Sequence, residues 1–299
     1  MDSTTLAQMG EDALVRRLTE GLPLGLDVIA GAGDDCAIVK PLGKGWLQLL
    51  KTDCVVEGVH FLADTDSERT GWKAMARALS DIAAMGGGPQ HALVTLLVPP
   101  DCAVTKVDKL YQGLRACAAQ FAVSIIGGET SRAQQLAIII SMTGRVKSAH
   151  VARRDGARVG DVIFVTGKLG GSGNGHHLDF VPRVAEAQWL VAHHRIRAMM
   201  DLSDGLGKDL PRMAAASGLD FSIDEESLPA KAGCTQAQAW SDGEDYELMF
   251  TVAPRTATRL VNEWGKKFPE VPLTSIGRFV SAGTGRIPAF QSGGWDHFS

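Results

Sequence analysis

Cysteine is scarce in this chain of 299 residues, and the five present (Cys36, Cys54, Cys102, Cys117 and Cys234) are scattered without a C-x-x-C spacing. That excludes a disulfide frame and a cysteine-bound zinc, and it leaves reduced thiols in the core or on the surface. Long apolar runs are missing too. No stretch approaches the ~18 apolar residues of a membrane span, and the N-terminus lacks a signal-peptide pattern. No membrane partner is expected, and the simplest location is cytoplasmic. Lys and Arg never gather beyond short pairs and the net charge is −4, which argues against a nucleic-acid partner. Several signatures are also absent: G-x-x-x-x-G-K-[ST], the G-x-G-x-x-G, His-Arg-Asp and Asp-Phe-Gly set of protein kinases, and G-x-S-x-G around a serine. A nucleotide, if one binds, is held by another architecture.

What is present is ordinary globular composition, 45% hydrophobic and 21% charged, in a length that suits one large domain or two of usual size. Glycine is abundant, at 34 residues, and much of it stands beside acidic residues, as in tight loops that approach a ligand. The densest such region is 31–88. There Asp34-Asp35 precedes the apolar run Cys36–Val39, and a strand from Trp46 runs through Lys51-Thr52-Asp53 toward Phe61. A helix follows with Trp72, Met75, Ala76, Leu79, Ile82 and Ala83 on one face, stopped by Gly86-Gly87-Gly88-Pro89. Asp81 falls opposite that stripe, so Asp35, Asp53 and Asp81 are expected on a surface, where Asp81 has Arg77 one turn away as a partner.

Further along, residues 11–19 read as a short helix, His91–Val98 as a strand, and 101–121 as a helix with Leu110, Leu114, Cys117 and Phe121 inward. Val123–Ile126 reads as a strand ending in a turn over Gly127–Arg132, and Leu136–Val146 as another strand. A polar, turn-rich break near 147–160 divides the chain into 1–148 and 149–299. The second half alternates strands (161–166, 198–201, 221–223, 246–252, 273–280) with helices (184–194, 256–267, and one capped by Ser203-Asp204-Gly205). The fold class is therefore α/β (α+β), in two domains.

The acidic turns, Asp34/Asp35, Asp53, Asp81, Glu129, Asp201/Asp204 and Glu244/Asp245, end strands or sit on helix faces. Hard oxygen ligands from separate elements are what magnesium-bound polyphosphate requires. For any one of them the plainer reading is a capping or solvated carboxylate; their number and shared context favour a site. The loop Gly167–Gly175 fits a phosphate cradle or a surface loop equally well. His60 reads as structural, His176-His177 and His193-His194 as solvent-facing, and Trp295 as part of a docked tail.

The sequences GDDCAIV, TDCVVEGVHF, ALSDIAAMGG, GGETSR, VTGKLGGS, PRV, DLSDGL, GEDYELMFTV and GWDHF, in this order from Gly31 to Phe298, resemble those of the thiamine-monophosphate kinase family. That family is similar in fold to aminoimidazole ribonucleotide synthetase and selenophosphate synthetase. The resemblance implies two α/β domains, the first dimerising through a β-barrel, and ATP-dependent, magnesium-assisted phosphorylation of thiamine monophosphate to thiamine diphosphate. It places Asp35, Thr52, Asp53, Asp81, Asp201 and Asp204 on magnesium, with Glu129 where the family has Asp. Tyr111, Gly128, Arg154 and Ser203 fall to the nucleotide, and His60, Glu244 and Trp295 to the thiamine side. The acceptor is already an ionised phosphate, so no general base is called for. A related enzyme with another small phosphate or carboxamide substrate, and a non-catalytic nucleotide-binding regulator, are the alternatives.

Three departures bear on the site: Glu129 itself, Lys51 in place of a hydroxyl residue before Thr52-Asp53, and a short segment, Gly173–Val181, before Pro182-Arg183-Val184. If the Lys51 ammonium points inward, it brings a point charge into the acidic set.

Overall fold

The computed structural model describes residues 26, 28–30, 34–40, 43–286 and 293–295. The expected helix at 11–19 lies outside them. The first half forms a six-stranded sheet in the order β1-β2-β3-β6-β4-β5, with β1 Val28–Ala30, β2 Ala37–Val39, β3 Trp46–Val56, β4 Gly88–Val98, β5 Ser124–Arg132 and β6 Ala137–Lys147. Strand alternation sends Leu47, Leu49 and Val55 of β3, Ala92, Val94 and Leu96 of β4, and Ile138, Ile140 and Met142 of β6 to one buried face. Helices α1 (Ser67–Ala84) and α2 (Val104–Gln120) cover that face. They cross at two glycines. A Cβ on Gly71 would come within 2.0 Å of the Leu110 carbonyl oxygen, and one on Gly113 within 1.8 Å of that of Glu68.

Among the described strands only β4 and β5 pair in parallel, with α2 as the crossover between them. The expected turn at Gly127–Arg132 is instead the second half of β5. The reason is steric: at Gly128 the strand passes so near β4 that a Cβ would lie 1.8 Å from the Val94 carbonyl oxygen, and only glycine lets the pairing continue.

The second half is a five-stranded antiparallel sheet, β8-β10-β7-β11-β9, built from β7 Val162–Thr166, β8 Ala198–Asp201, β9 Asp220–Ile223, β10 Leu248–Val252 and β11 Leu273–Val280. Helices α4 (Leu206–Ser217) and α5 (Gln236–Ser241) share one hydrophobic core with it, through Leu210, Met213 and Trp240. Helices α3 (Val184–His193) and α6 (Pro254–Lys267) share the other, through Leu190 and Trp264. Ala83 and Ala84 at the end of α1 join that second core, while Met75, Leu79 and Ile82 belong to the first. The last turns of α1 are thus enclosed on all sides between the two sheets, and this enclosure positions the site.

Candidate active site

Enclosure of α1 overturns the expectation that its acidic residue is on a surface. Asp35 and Asp81 are 7% exposed and Asp201 2%, and one carboxylate oxygen from each lies within 4.8 Å of the others. They come from three elements: the turn before β2, the last turn of α1, and the end of β8. Ser80 Oγ donates to Asp201 Oδ2 at 2.6 Å, which ties α1 to β8 at this point. Burial, and then the neighbouring Asp35, push the Asp201 carboxyl up to about 7. Burial likewise raises Asp81 well above the usual carboxylate range, with Asp201, Asp53 and Asp35 adding to it against Lys51. Asp35 Oδ2 is buried with no hydrogen-bond partner among the described residues. Three crowded carboxylates with an orphaned oxygen fit a divalent, oxygen-liganded cation such as magnesium.

Two cations lie against this trio. Arg154 places its guanidinium 2.7 Å from Asp35 Oδ1 and 3.4 Å from Asp34 Oδ1. Lys51 points inward, its ammonium 2.8 Å from Asp81 Oδ1. Burial alone would lower Lys51, but Asp81 and Asp53 hold its affinity for the proton above normal. Asp81 therefore pairs with Lys51, and Arg77 turns elsewhere. Arg77 Nη2 sits 3.2 Å from Asp53 Oδ1, Nη1 sits 3.7 Å from Glu244 Oε1, and the guanidinium lies 5.9 Å from the Tyr246 ring centre. Burial works to raise the half-buried Asp53, but Arg77 and Lys51 keep it below the usual range.

Through Arg77 the acidic region continues into a cavity of about 440 Å³ whose walls include His60, His177, Ser203, Glu244, Tyr246 and Trp295. Glu244 and Tyr246 are held at positive φ (61° and 51°), a conformation that side-chain-bearing residues adopt at a cost. Bonds from the Glu244 N–H to the Ser203 carbonyl (2.7 Å) and from the Tyr246 N–H to that of Leu202 (2.8 Å) fix the bend. For this reason β10 starts at Leu248 rather than at the expected Tyr246. Ser203 does not cap α4 either; its cap is Gly205, which has no side chain to offer. Trp295 reaches the cavity from the C-terminal segment, its N–H bonded to the Asp204 carbonyl at 2.9 Å.

The loop after β7 is anchored by protein anions. Asp245 Oδ1 accepts from the Gly170 N–H (3.0 Å), and Asp242 Oδ2 accepts from the Gly171 N–H (2.8 Å). Those two N–H groups are engaged by the chain's own carboxylates and are not open to a phosphate. Arg183 forks onto Glu247 at 2.7 and 2.5 Å, and Thr166 Oγ1 donates to the same carboxylate at 2.7 Å.

Not every expected site residue joins the constellation. Thr52 alternates to the outer face of the first sheet, its hydroxyl 3.4 Å from that of Ser141. Glu129 lies on exposed β5, paired with Thr95, and Gly128 beside it is paired with Val94. Tyr111 is on α2 under Arg115. Asp204 binds Arg212 at 2.5 Å and lines the cavity rather than joining the trio. Conversely, Lys73 carries no motif in the sequence, and His177 is expected there to face solvent. Lys73 is fully buried, with its ammonium 2.7 Å from Glu244 Oε1, 2.6 Å from the His60 carbonyl and 2.6 Å from His177 Nδ1. His177 is therefore not solvent-facing. The signal for Lys73 was its place in a polar row with Arg77 and Asp81, at i, i+4 and i+8.

Residues 33–146 match the N-terminal domain of AIR synthase related proteins, and residues 158–288 match the C-terminal domain. A protein of Rhodopirellula baltica called thiamine-monophosphate kinase is 39% identical, over 90% of this chain and 88% of its own length. One of that name from Aquifex aeolicus is 33% identical over 89% of this chain and 92% of its own. A solved structure described as AaThiL complexed with AMPPCP and TMP superposes with a TM-score of 0.85 at 28% identity, over 99% of this chain and 100% of that one. HypE of E. coli, a hydrogenase maturation protein, shares the fold with a TM-score of 0.68 at 18% identity over 83% of this chain and 84% of its own. With both domain models matched in order and relatives at 39% and 33% identity over most of its length, this chain belongs to the thiamine-monophosphate kinase family of AIR synthase related proteins.

Proposed function

We propose that this protein is an ATP- and magnesium-dependent kinase that transfers the γ-phosphoryl group of ATP directly to the phosphate of thiamine monophosphate, giving thiamine diphosphate. The observation that carries the proposal is the Asp53–Arg77–Glu244 chain of ion pairs, which joins the buried acidic region to the cavity holding His60 and Trp295. A phosphoryl acceptor in that cavity has its phosphate near the carboxylates and its ring against the aromatic wall. The relative bound to AMPPCP, an ATP analogue, and TMP supports the pairing of substrates.

Asp35, Asp81 and Asp201 are the residues that would hold magnesium, with Asp53 beside them. Magnesium bound there supplies charge neutralisation to the transferring phosphoryl group. The chain's own part is orientation. Arg154 sets positive charge against Asp35 and Lys51 sets it against Asp81. Arg77 stands between the acidic region and the cavity, aimed at both. An ionised phosphate needs no deprotonation before it attacks, so positioning and electrostatics carry the catalysis. Purified protein with ATP, magnesium and thiamine monophosphate is expected to form thiamine diphosphate in step with ADP. ATP turnover only with another acceptor, or nucleotide binding without turnover, contradicts the proposal.

The working unit is a homodimer formed through the first sheet, cytoplasmic in location, with residues 1–148 as the ATP, magnesium and dimerisation domain and 149–299 as the second domain. Supporting the dimer, the outer face of the first sheet presents Leu50, Leu93 and Ile126 at 39%, 44% and 62% exposure, around a shallow cavity of about 330 Å³. Joining two such faces into a barrel gives Thr52, Gly128 and Glu129 a route into the partner's nucleotide site that a single chain denies them. Sedimentation is expected to show ~64 kDa, twice the 31.8 kDa chain, at micromolar concentration. A 31.8 kDa species contradicts it.

A further inference from the structure

Lys73 has three N–H bonds to give and nothing with which to accept. Its three neighbours take one each: the His60 carbonyl oxygen (2.6 Å), Glu244 (2.7 Å) and His177 Nδ1 (2.6 Å). Burial lowers Lys73 to about 8 despite Glu244, so the ammonium persists at neutral pH. His177 Nδ1 also lies 3.1 Å from Glu244 Oε2. A hydrogen on Nδ1 would serve that contact, but it would set two donors face to face at 2.6 Å against a fully buried ammonium. The ammonium therefore decides the tautomer: Nδ1 turns its lone pair to Lys73, and the ring hydrogen sits on Nε2. With Nδ1 directed inward and the ring lining the cavity, the Nε2–H edge faces the cavity interior.

Beside this donor stands an acceptor. Burial works to raise Glu244, but the close His177 ring, Lys73 and Arg77 outweigh it and hold the carboxylate ionised, at about 2. Around the pair, Tyr246, Trp295 and Phe61 give the cavity flat apolar walls, and Tyr246 is itself stacked on Phe180 at 4.0 Å. A fixed N–H donor next to a fixed carboxylate, among aromatic walls, complements a planar ring that offers a nitrogen lone pair beside an amino group.

We infer that His177 is a specificity-determining residue for the acceptor: its Nε2–H, fixed by Lys73, donates to the ring nitrogen that neighbours the amino group of a heteroaromatic substrate, while Glu244 accepts from that amino group. This rests on the reading of the cavity as the acceptor site and goes beyond it by naming the edge that is read. For thiamine monophosphate the edge is the aminopyrimidine. Lys73 acts through His177 and is a positioning residue.

The test is steady-state kinetics of His177→Ala and His177→Gln. For His177→Ala the KM for thiamine monophosphate is expected to rise at least tenfold, as for loss of a buried hydrogen bond. The KM for ATP should stay within twofold and kcat should fall less than threefold. Gln, whose amide N–H reaches the position of Nε2, should recover most of the loss. A second comparison holds even where the variants fold poorly. A substrate analogue with CH in place of the ring nitrogen beside the amino group is expected to bind wild type at least tenfold more weakly than thiamine monophosphate does. Equal affinity for the two compounds, or a KM unmoved in His177→Ala, overturns the role of His177 while the kinase reading stands. A wild-type protein that does not turn over thiamine monophosphate overturns both.

Discussion

Asp53→Asn is expected to lower turnover by about three orders of magnitude or more while leaving the fold intact. A carboxylate that would hold the cation neutralising a transferring phosphoryl group is worth several kcal/mol to the transition state, and each 1.36 kcal/mol is tenfold in rate. Asp53 occupies the one place where the acidic region, Lys51 and the cavity's Arg77 converge. The amide is the same size and still accepts one hydrogen bond, from the Cys54 N–H that now bonds Oδ1 at 2.7 Å. Arg77 keeps Glu244 and the Tyr246 ring as partners, so the guanidinium is not stranded. Steady-state rates beside a thermal melt check this. A variant within tenfold of wild type, with an unchanged melt, removes Asp53 from the chemistry.

Arg183→Ala is expected to cost about 3–5 kcal/mol of stability, the usual result of stripping one partner from a buried ion pair. Glu247 is 6% exposed and satisfied by the Arg183 fork together with Thr166 Oγ1. Its surroundings leave no room to escape: a Cβ on Gly167 would lie 1.9 Å from Glu247 Oε1. Without Arg183 the carboxylate stays buried with one neutral donor. For a chain of this size the loss corresponds to a fall of about 5–8 °C in the melting temperature. Denaturant unfolding measures it, and the double substitution Arg183→Ala with Glu247→Gln should recover a substantial part, because the stranded charge is then gone. A loss below about 1 kcal/mol means that the fork is incidental.

That second case shows what the sequence could and could not disclose. The motifs VTGKLGGS, PRV and GEDYEL were visible as words, but their meaning is joint. Thr166, Arg183 and Glu247 meet in one buried network, and Gly170 and Gly171 are held by Asp245 and Asp242. No local pattern says that a glycine-rich loop already has its anions. Strand and helix positions were legible because periodicity is local: β11 spans Leu273–Val280 as read, and α1 contains the whole stripe from Trp72 to Ala83. The exceptions trace to particular contacts. At Gly128 a close strand approach turned an expected turn into β5, and at Tyr246 a positive φ delayed β10.

The acidic set was legible as residue types, and its burial was not. A helical wheel for α1 shows one apolar face and one polar face, and the ordinary inference places the polar face in water. Here the polar face is shared between Lys51 and Asp53 on β3 of the first sheet and Glu244 from the second half, so Lys73, Arg77 and Asp81 become an interior polar row. That depends on how two halves of the chain dock, which periodicity within either half does not encode. The same docking brings His177 to Lys73 across 104 residues. The inward turn of Lys51, in contrast, follows from alternation along β3, since Leu47, Leu49 and Val55 share its face.

Where the γ-phosphoryl group of ATP goes is the decisive measurement. Purified protein, ATP labelled in its γ-phosphoryl group, magnesium and unlabelled thiamine monophosphate should give label in the terminal phosphoryl group of thiamine diphosphate, with one ADP formed for each thiamine diphosphate. Label appearing as inorganic phosphate while thiamine monophosphate is left unchanged contradicts direct transfer and, with it, the assignment of the cavity as the acceptor site.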